Sequence, residues 1–213
     1  ILKDVASSGV KILAISDDAY FGLNYEDNIE PESLFTRTCD LHPNILAVKI
    51  DGPTKEDFVW GFRSGFLTFG NSTLTEEQYT ALITKLMGII RSSVSCSSTP
   101  PQSLLLRAIK DPATNIQKNE YRNILEERYK IVRNFCNTHK CSCLEPLPFN
   151  SGYFMSFNVI GKDSEQLRKK LLNEYGIGVV SIDSKTLRVA FSSIEKEKLE
   201  TVYEAIFKAA EEL

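Results

Sequence analysis

"KILAISDDAY" (residues 11–20) sets an apolar run, Ile12 to Ile15, directly against two carboxylates, Asp17 and Asp18, and an Ala-Tyr pair. A strand with so few polar positions reads as one covered on both faces, the habit of parallel sheets packed between helices. That reading fixes the fold class as α/β. It also puts Asp17 at the C-terminal end of the strand, the edge of an open α/β sheet where ligands bind. Asp18 reads equally well as a cap or turn residue.

The second apolar run, "ILAVKIDG" (45–52), repeats the pattern after a polar loop that holds a short amphipathic piece at Ser33–Thr38. A third strand, Gly65–Phe69, follows a tight turn, and its glycines and aromatics suggest a crowded interior position. Three such strands make the edge of a larger sheet. Helical spacing takes over at 75–93, where Thr75 with Glu77-Gln78 supplies capping chemistry and Tyr79, Leu82, Ile83, Leu86 and Ile89-Ile90 share a face. A Ser- and Pro-rich break leads to a short buried helix at "QSLLLRAI" and then to a long amphipathic helix over 115–139, with Ile124, Ile131, Val132 and Phe135 inward. The remainder alternates short strands (150–160, "GVVSID", "TLRVAFS") with two helices, the first closed by Gly176 as a C-cap, and reads as a compact antiparallel α+β unit. The division is placed within the long helix, giving domains 1–129 and 130–213.

Composition sets limits on partners. A chain of 213 residues with formal charge −3 gives no reason to expect nucleic acid or an anionic membrane as a partner. No apolar stretch approaches the roughly 20 residues of a membrane span, and no basic segment leads into an apolar one as in a signal peptide. The expectation is a soluble, cytoplasmic protein. Cys136, Cys141 and Cys143 gather around His139 in "FCNTHKCSC" (135–143), but without the paired hooks of a zinc site, so no metal is expected; the odd total of five cysteines suits reduced thiols. The first residues, "ILKDVASSG", read as the tail of a helix feeding a strand, so the chain is expected to be the C-terminal part of a longer polypeptide.

Polar groups collect at the rim of the three strands: Asp17 and Tyr20 after the first, Lys55 after the second, Arg63 ahead of the third. Singly, a rim lysine or arginine is a solvated charge. Together they suit a phosphorylated aldehyde cofactor: an amine to bond the aldehyde, a guanidinium fork for the phosphate, a carboxylate to hold a proton on a pyridine nitrogen and a phenol for the ring oxygen.

Asp-x-Ala-Tyr at 17–20, with "GPTKEDFVWGFRSG" (52–65) carrying Gly61, Arg63 and Gly65 at fixed spacing from Lys55, closely resembles the class I/II aminotransferases of pyridoxal-phosphate fold type I. "SSTPPQ" (97–102) is similar to the family's Ser-Asn-Pro-Pro segment, "SGYFMSFNV" (151–159) to the opening of its small domain, and "LRVAFS" (187–192) to the strand whose arginine grips the substrate α-carboxylate. The resemblance implies part of a three-layer α/β/α large domain followed by a small α+β domain, and pyridoxal 5′-phosphate as cofactor. It implies Lys55 as Schiff base lysine and proton shuttle, Asp17 on the pyridinium nitrogen, Tyr20 on the 3′ oxygen, Arg63 on the phosphate and Arg188 on the substrate carboxylate. Where the family often has a serine three before the lysine, Gly52 stands here, and Thr54 supplies the hydroxyl instead. Phe58 replaces a small residue, Thr99 an asparagine, and Val94 the arginine that binds a distal carboxylate, so dicarboxylate specificity by that route is not implied.

Amino acids and 2-oxo acids are the implied substrates, and a homodimer with Ser98–Pro101 at the partner's site the implied assembly. The family's phosphate-cradling turn, stacking aromatic ring and ring-oxygen asparagine precede Asp-x-Ala-Tyr and find no counterpart here, so the chain is expected to be inactive alone and to expose a sheet edge able to pair with another copy. Other outcomes of the same residues, a β-lyase, decarboxylase or synthase, stay open, as does a non-catalytic assembly module.

Overall fold

The computed structural model describes residues 1–213, which separate by their internal contacts into two compact units: Ile1–Leu23 with Asn28–Lys118, and Asn24–Asp27 with Asn119–Leu213. The sequence placed the division at 129/130. Contacts place it earlier in the long helix because that helix already packs into the second unit at Leu125 and Tyr129, both buried. Residues 24–27 join it there: Arg122 Nη2 donates to Asn24 O at 2.7 Å, the Tyr25 hydroxyl donates to Gly152 O at 2.8 Å, and the Tyr129 hydroxyl donates to the Glu26 carboxylate.

In the first unit, helix α1 (Leu2–Ser7) leads into β1 (Ile12–Asp17), α2 (Leu34–Thr38), β2 (Ile45–Asp51), α3 (Pro53–Glu56) and, after a 3-10 turn at Trp60–Phe62, β3 (Phe66–Gly70). β1 and β2 are parallel, with Ile12 opposite Ile45 and Asp17 opposite Ile50; β3 pairs antiparallel with β2, and the order is β1-β2-β3. One sheet face is closed. Ala6, Ile45 and Ala47 are fully buried, and a Cβ on Gly70 would stand 2.5 Å from the Cβ of Cys39, so α2 presses on the sheet where only glycine fits.

The other face is open at β1 and at the strand ends, although Val48 on it is buried. Leu13 and Ile15 are 59% and 56% exposed, and Ile50 and Leu67 lie on the same face. The expectation that β1 is covered on both sides is therefore corrected: burial alternates along it, and its outer edge has no neighbouring strand. β3, expected in a crowded interior, exposes Phe66 and Leu67.

Helix α4 (Glu76–Ser93) begins at the expected capping box, Thr75 accepting from Gln78 N while Gln78 accepts from Thr75 N. The Tyr79 hydroxyl ties it to the end of β3 by accepting from Asn71 N at 3.0 Å and donating to Asn71 O at 3.2 Å. Tyr79, Leu82 and Leu86 of its apolar face are half-buried, while Ile83, Ile89 and Ile90 of that face, and Met87, are exposed. In α5 (Thr99–Lys110), expected to be buried, only Leu105 is; Leu104, Leu106 and Ile109 are exposed.

The second unit holds most of α6 (Pro112–Thr138), then β4 (Leu144–Pro146), β5 (Met155–Val159), α7 (Ser164–Tyr175), β6 (Val180–Asp183), β7 (Thr186–Val189) and α8 (Leu199–Glu211). Its sheet is antiparallel, in the order β4-β5-β7-β6. Phe157 and Leu187 of the two central strands meet Val132 and Phe135 of α6, Leu167 and Leu171 of α7, and Tyr203 and Ile206 of α8 in a closed core. Gly176 ends α7 in the left-handed conformation, φ +67°, as its position after the helical pattern predicts. This is the α+β unit expected from the strand and helix spacing. No helix of the chain is long and apolar enough to cross a membrane.

Candidate active site

Five of the six candidate residues lie in the first unit. Asp17 closes β1, and Lys55 follows β2 in α3, so both stand at the C-terminal ends of two parallel neighbours. Asp17 is exposed and accepts from Ala19 N at 3.2 Å, a turn contact that leaves its carboxylate at the rim. Its neighbour Asp18 is committed to structure, since both Ser16 and Ser33 donate to its carboxylate while Ser33 caps α2.

Lys55 and Tyr20 meet. The lysine Nζ lies 5.4 Å from the centroid of the Tyr20 ring, joining the loop after β1 to the helix after β2. Pro53 at the start of α3 fixes the backbone that carries Thr54 and Lys55. Gly52, just before it, is held by packing: a Cβ there would stand 2.9 Å from Ser64 O and 3.1 Å from Gly65 Cα. The departure at this position thus has a local cause, the close approach of the Ser64–Gly65 backbone.

Arg63 sits on an unusual backbone. It adopts φ +50°, and Phe58 adopts φ +57°, so two non-glycine residues in the left-handed region bracket the turn between α3 and β3. Strain of this kind concentrates at functional sites. Arg63 Nη1 donates to Trp60 O at 3.4 Å, a long bond that keeps the guanidinium beside its own turn.

Two lysines beside these elements escaped the sequence. Lys49 on β2 pairs with Asp51, whose hydrogen bond pushes the ammonium above its usual range, and lies 5.6 Å from the Phe21 ring centroid. Lys118 Nζ sits 2.7 Å from Asp57 and 3.8 Å from Glu56; burial raises the Glu56 carboxyl, and Lys118 works against that rise. Lys49 stood in plain sight as the lone charge inside an apolar strand. Lys118 carried no local signal, being sixty-odd residues from its partners.

Arg188 belongs to the second unit. It lies on β7 opposite Ser156, its guanidinium 4.7 Å from the Phe154 ring centroid, with Nε buried and lacking a hydrogen-bond partner. A buried guanidinium N–H without an acceptor is costly unless an anion meets it.

The cysteine cluster does not converge. His139 stacks on Phe135 at 4.1 Å, all five cysteines are free, and no three His, Cys, Asp or Glu side chains are grouped to hold a metal ion. Burial pushes the Cys136 thiol up to about 11 from its usual 9.0. The unfolded thiol ionises first, so its contribution to stability is whole below pH 9 and is lost as pH rises through the folded value. Alkylation of Cys136 near pH 8 should therefore run at least about 100-fold slower in the folded chain than in urea, where the thiolate is that much more abundant; equal rates in mass-spectrometric mapping would contradict the burial.

The family pattern of aminotransferase classes I and II matches residues 2–206. The chain belongs to the class I and II aminotransferases. No curated protein matches its sequence. Among solved structures, an aminotransferase of Anaerococcus prevotii is 22% identical, with TM-score 0.81 over 98% of this chain and 50% of that one. The kynurenine aminotransferase of Pyrococcus horikoshii, solved with PMP, is 17% identical, with TM-score 0.78 over 99% and 50%. LysN, the α-aminoadipate aminotransferase of Thermus thermophilus, complexed with N-(5′-phosphopyridoxyl)-L-leucine, is 16% identical, with TM-score 0.75 over 99% and 52%. At these identities the likeness establishes the fold, and the chain spans about half the length of each aminotransferase. Pyridoxal phosphate is the cofactor of this family.

Proposed function

We propose that the rim of the first unit is part of a pyridoxal 5′-phosphate site for amino transfer between an amino acid and a 2-oxo acid. The observation that carries this reading is the seating of the Lys55 amine against Tyr20 at the strand ends that also present Asp17. The donor set fits: one primary amine, one phenol, one exposed carboxylate and a guanidinium held in a strained turn. When bound, the cofactor supplies an aldehyde that takes up amines and a ring that accepts electrons.

The chain's residues do the rest. Lys55 Nζ attaches the cofactor and moves the proton at the substrate α-carbon. Asp17 holds a proton on the pyridine nitrogen, Tyr20 donates to the 3′ oxygen, and Arg63 grips the phosphate with Thr54 adding its hydroxyl. The unmet Nε of Arg188 suits the substrate α-carboxylate. Residues 1–129 then serve as the cofactor-binding part and 130–213 as the small domain of a cytoplasmic homodimeric enzyme, with Ser98–Pro101 at the neighbouring copy's site. Because the matched structures are about twice as long, the chain by itself is expected to show little or no transamination.

Incubation with pyridoxal 5′-phosphate, borohydride reduction and peptide mapping tests the reading. Stable label concentrated on Lys55 supports it. Label spread evenly over the lysines overturns it for this chain.

A further inference from the structure

Helix α3 has four residues and carries Lys55 in its second half, so little in the helix itself fixes the direction of that amine. Its exit is strained. Asp57 follows it, and Phe58 then enters the left-handed region at φ +57°, a conformation that lasts in a phenylalanine only where the surroundings hold it. Short-range bonds shape the bend: Asp57 N donates to Pro53 O at 3.1 Å and Phe58 N to Lys55 O at 3.3 Å.

A long-range tie reaches the same bend. Lys118, the last residue of the first unit, brings its ammonium from α6 to 2.7 Å from Asp57 Oδ1 and 3.8 Å from Glu56 Oε1. The Lys118 and Asp57 side chains are 27% and 21% exposed, so water screens this pair less than a surface pair. Glu56 carries the tie across to the loop after β1. A Cβ on Gly22 would stand 3.7 Å from Glu56 Oε1, and Gly22 lies two residues past Tyr20. Adjacent carboxylates also repel: the Asp57 charge helps to raise the Glu56 carboxyl, and Lys118 opposes that rise. Without the ammonium, the repulsion would act on the strained bend.

We propose that Lys118 is a positioning residue for Lys55, clamping the end of α3 through Asp57 and the loop after Tyr20 through Glu56, and so holding the amine against the Tyr20 ring. What the amine is held for rests on the cofactor reading; the clamp does not.

The 213-residue chain supplies two readouts. Nuclear Overhauser contacts between the Lys55 ε-methylene and the Tyr20 ring need no cofactor, and borohydride-stable labelling by pyridoxal 5′-phosphate follows the reactive amine. Lys118→Met keeps the stem and removes the charge. It should lose the Overhauser contact and slow Lys55 labelling about tenfold, with the amide shifts of β1, β2 and β3 unchanged. Asp57→Asn should do the same, and Lys118→Arg, which keeps a charged donor, should stay within about threefold of wild type. Lys118→Met with contact and labelling intact overturns the clamp. So does a loss that Asp57→Asn fails to share or Lys118→Arg fails to relieve, because it would follow from packing at position 118 and not from the ion pair. Overhauser contacts that respond as expected, with no label on Lys55 in the wild type, support the clamp and overturn the cofactor reading.

Discussion

Lys55→Ala is expected to abolish borohydride-stable attachment of pyridoxal 5′-phosphate at this peptide and to leave the remaining lysines at background. The argument is one of position. A surface lysine meets free aldehyde only by encounter, whereas a lysine beside a phosphate grip meets it at high effective concentration. On the proposed reading that grip is Arg63, eight residues on, in the turn between α3 and β3. Lys55→Arg should be as null as the alanine variant, because a guanidinium keeps the charge over Tyr20 but is not nucleophilic. Arg63→Ala should reduce labelling at least about tenfold, the loss of one charge-assisted phosphate contact. Persistent labelling in Lys55→Ala, centred on Lys49, would move the reactive amine onto β2. That outcome is disfavoured by Asp51, which holds the Lys49 ammonium in its charged, unreactive form.

The strand-end positions of the candidate residues Asp17 and Lys55 were legible because strand ends are marked in sequence by where an apolar run stops. Asp17 and Lys55 each follow such a run, and the parallel register of β1 with β2 brings the two ends level. What covers a strand is not written in the strand. Leu13 and Ile15 have the apolar character of buried residues and are exposed because no helix of this unit lies over their face. On α4 the spacing of Leu82, Ile83, Leu86 and Ile90 predicts the helix, and of that face Ile83 and Ile90 are exposed while Leu82 and Leu86 are half-buried. Periodicity reports which face is apolar, and only long-range packing decides whether that face meets anything. Gly52 shows the converse. Read against a family pattern it is a missing hydroxyl; in place, it is the one residue type that clears Ser64 O. In the second unit pattern and burial agree along β5 and α8, where Met155, Phe157 and Val159 of the strand and Leu199, Tyr203, Ile206 and Phe207 of the helix are buried, whereas Ile124 of α6, expected inward, is exposed.

That agreement makes Phe157→Ala the most damaging substitution expected for the second unit, at a cost of about 3–5 kcal/mol. Phe157 is wholly buried on the central strand β5, with ring centroids 6.2 Å from Tyr203 and 5.7 Å from Phe207, both on α8. Truncation removes the ring that joins sheet to helix, and the neighbours cannot collapse into the space. Met155 and Leu187 are themselves fixed by strand pairing, and Phe135 is already engaged with the same two α8 rings. A domain stable by about 5–15 kcal/mol loses much of its margin, so the urea midpoint followed by far-ultraviolet circular dichroism should fall steeply. Phe157→Leu, which refills most of the volume, should recover all but about 1.5 kcal/mol. Tyr203→Phe supplies the contrast. The Tyr203 hydroxyl is buried without a hydrogen-bond partner, so deleting it removes an unmet polar group and keeps the ring; stability should hold or rise. A Phe157→Ala midpoint indistinguishable from wild type would mean that this core does not carry the unit's stability. A Tyr203→Phe loss as large as that of Phe157→Ala would mean that the hydroxyl has a partner in solution.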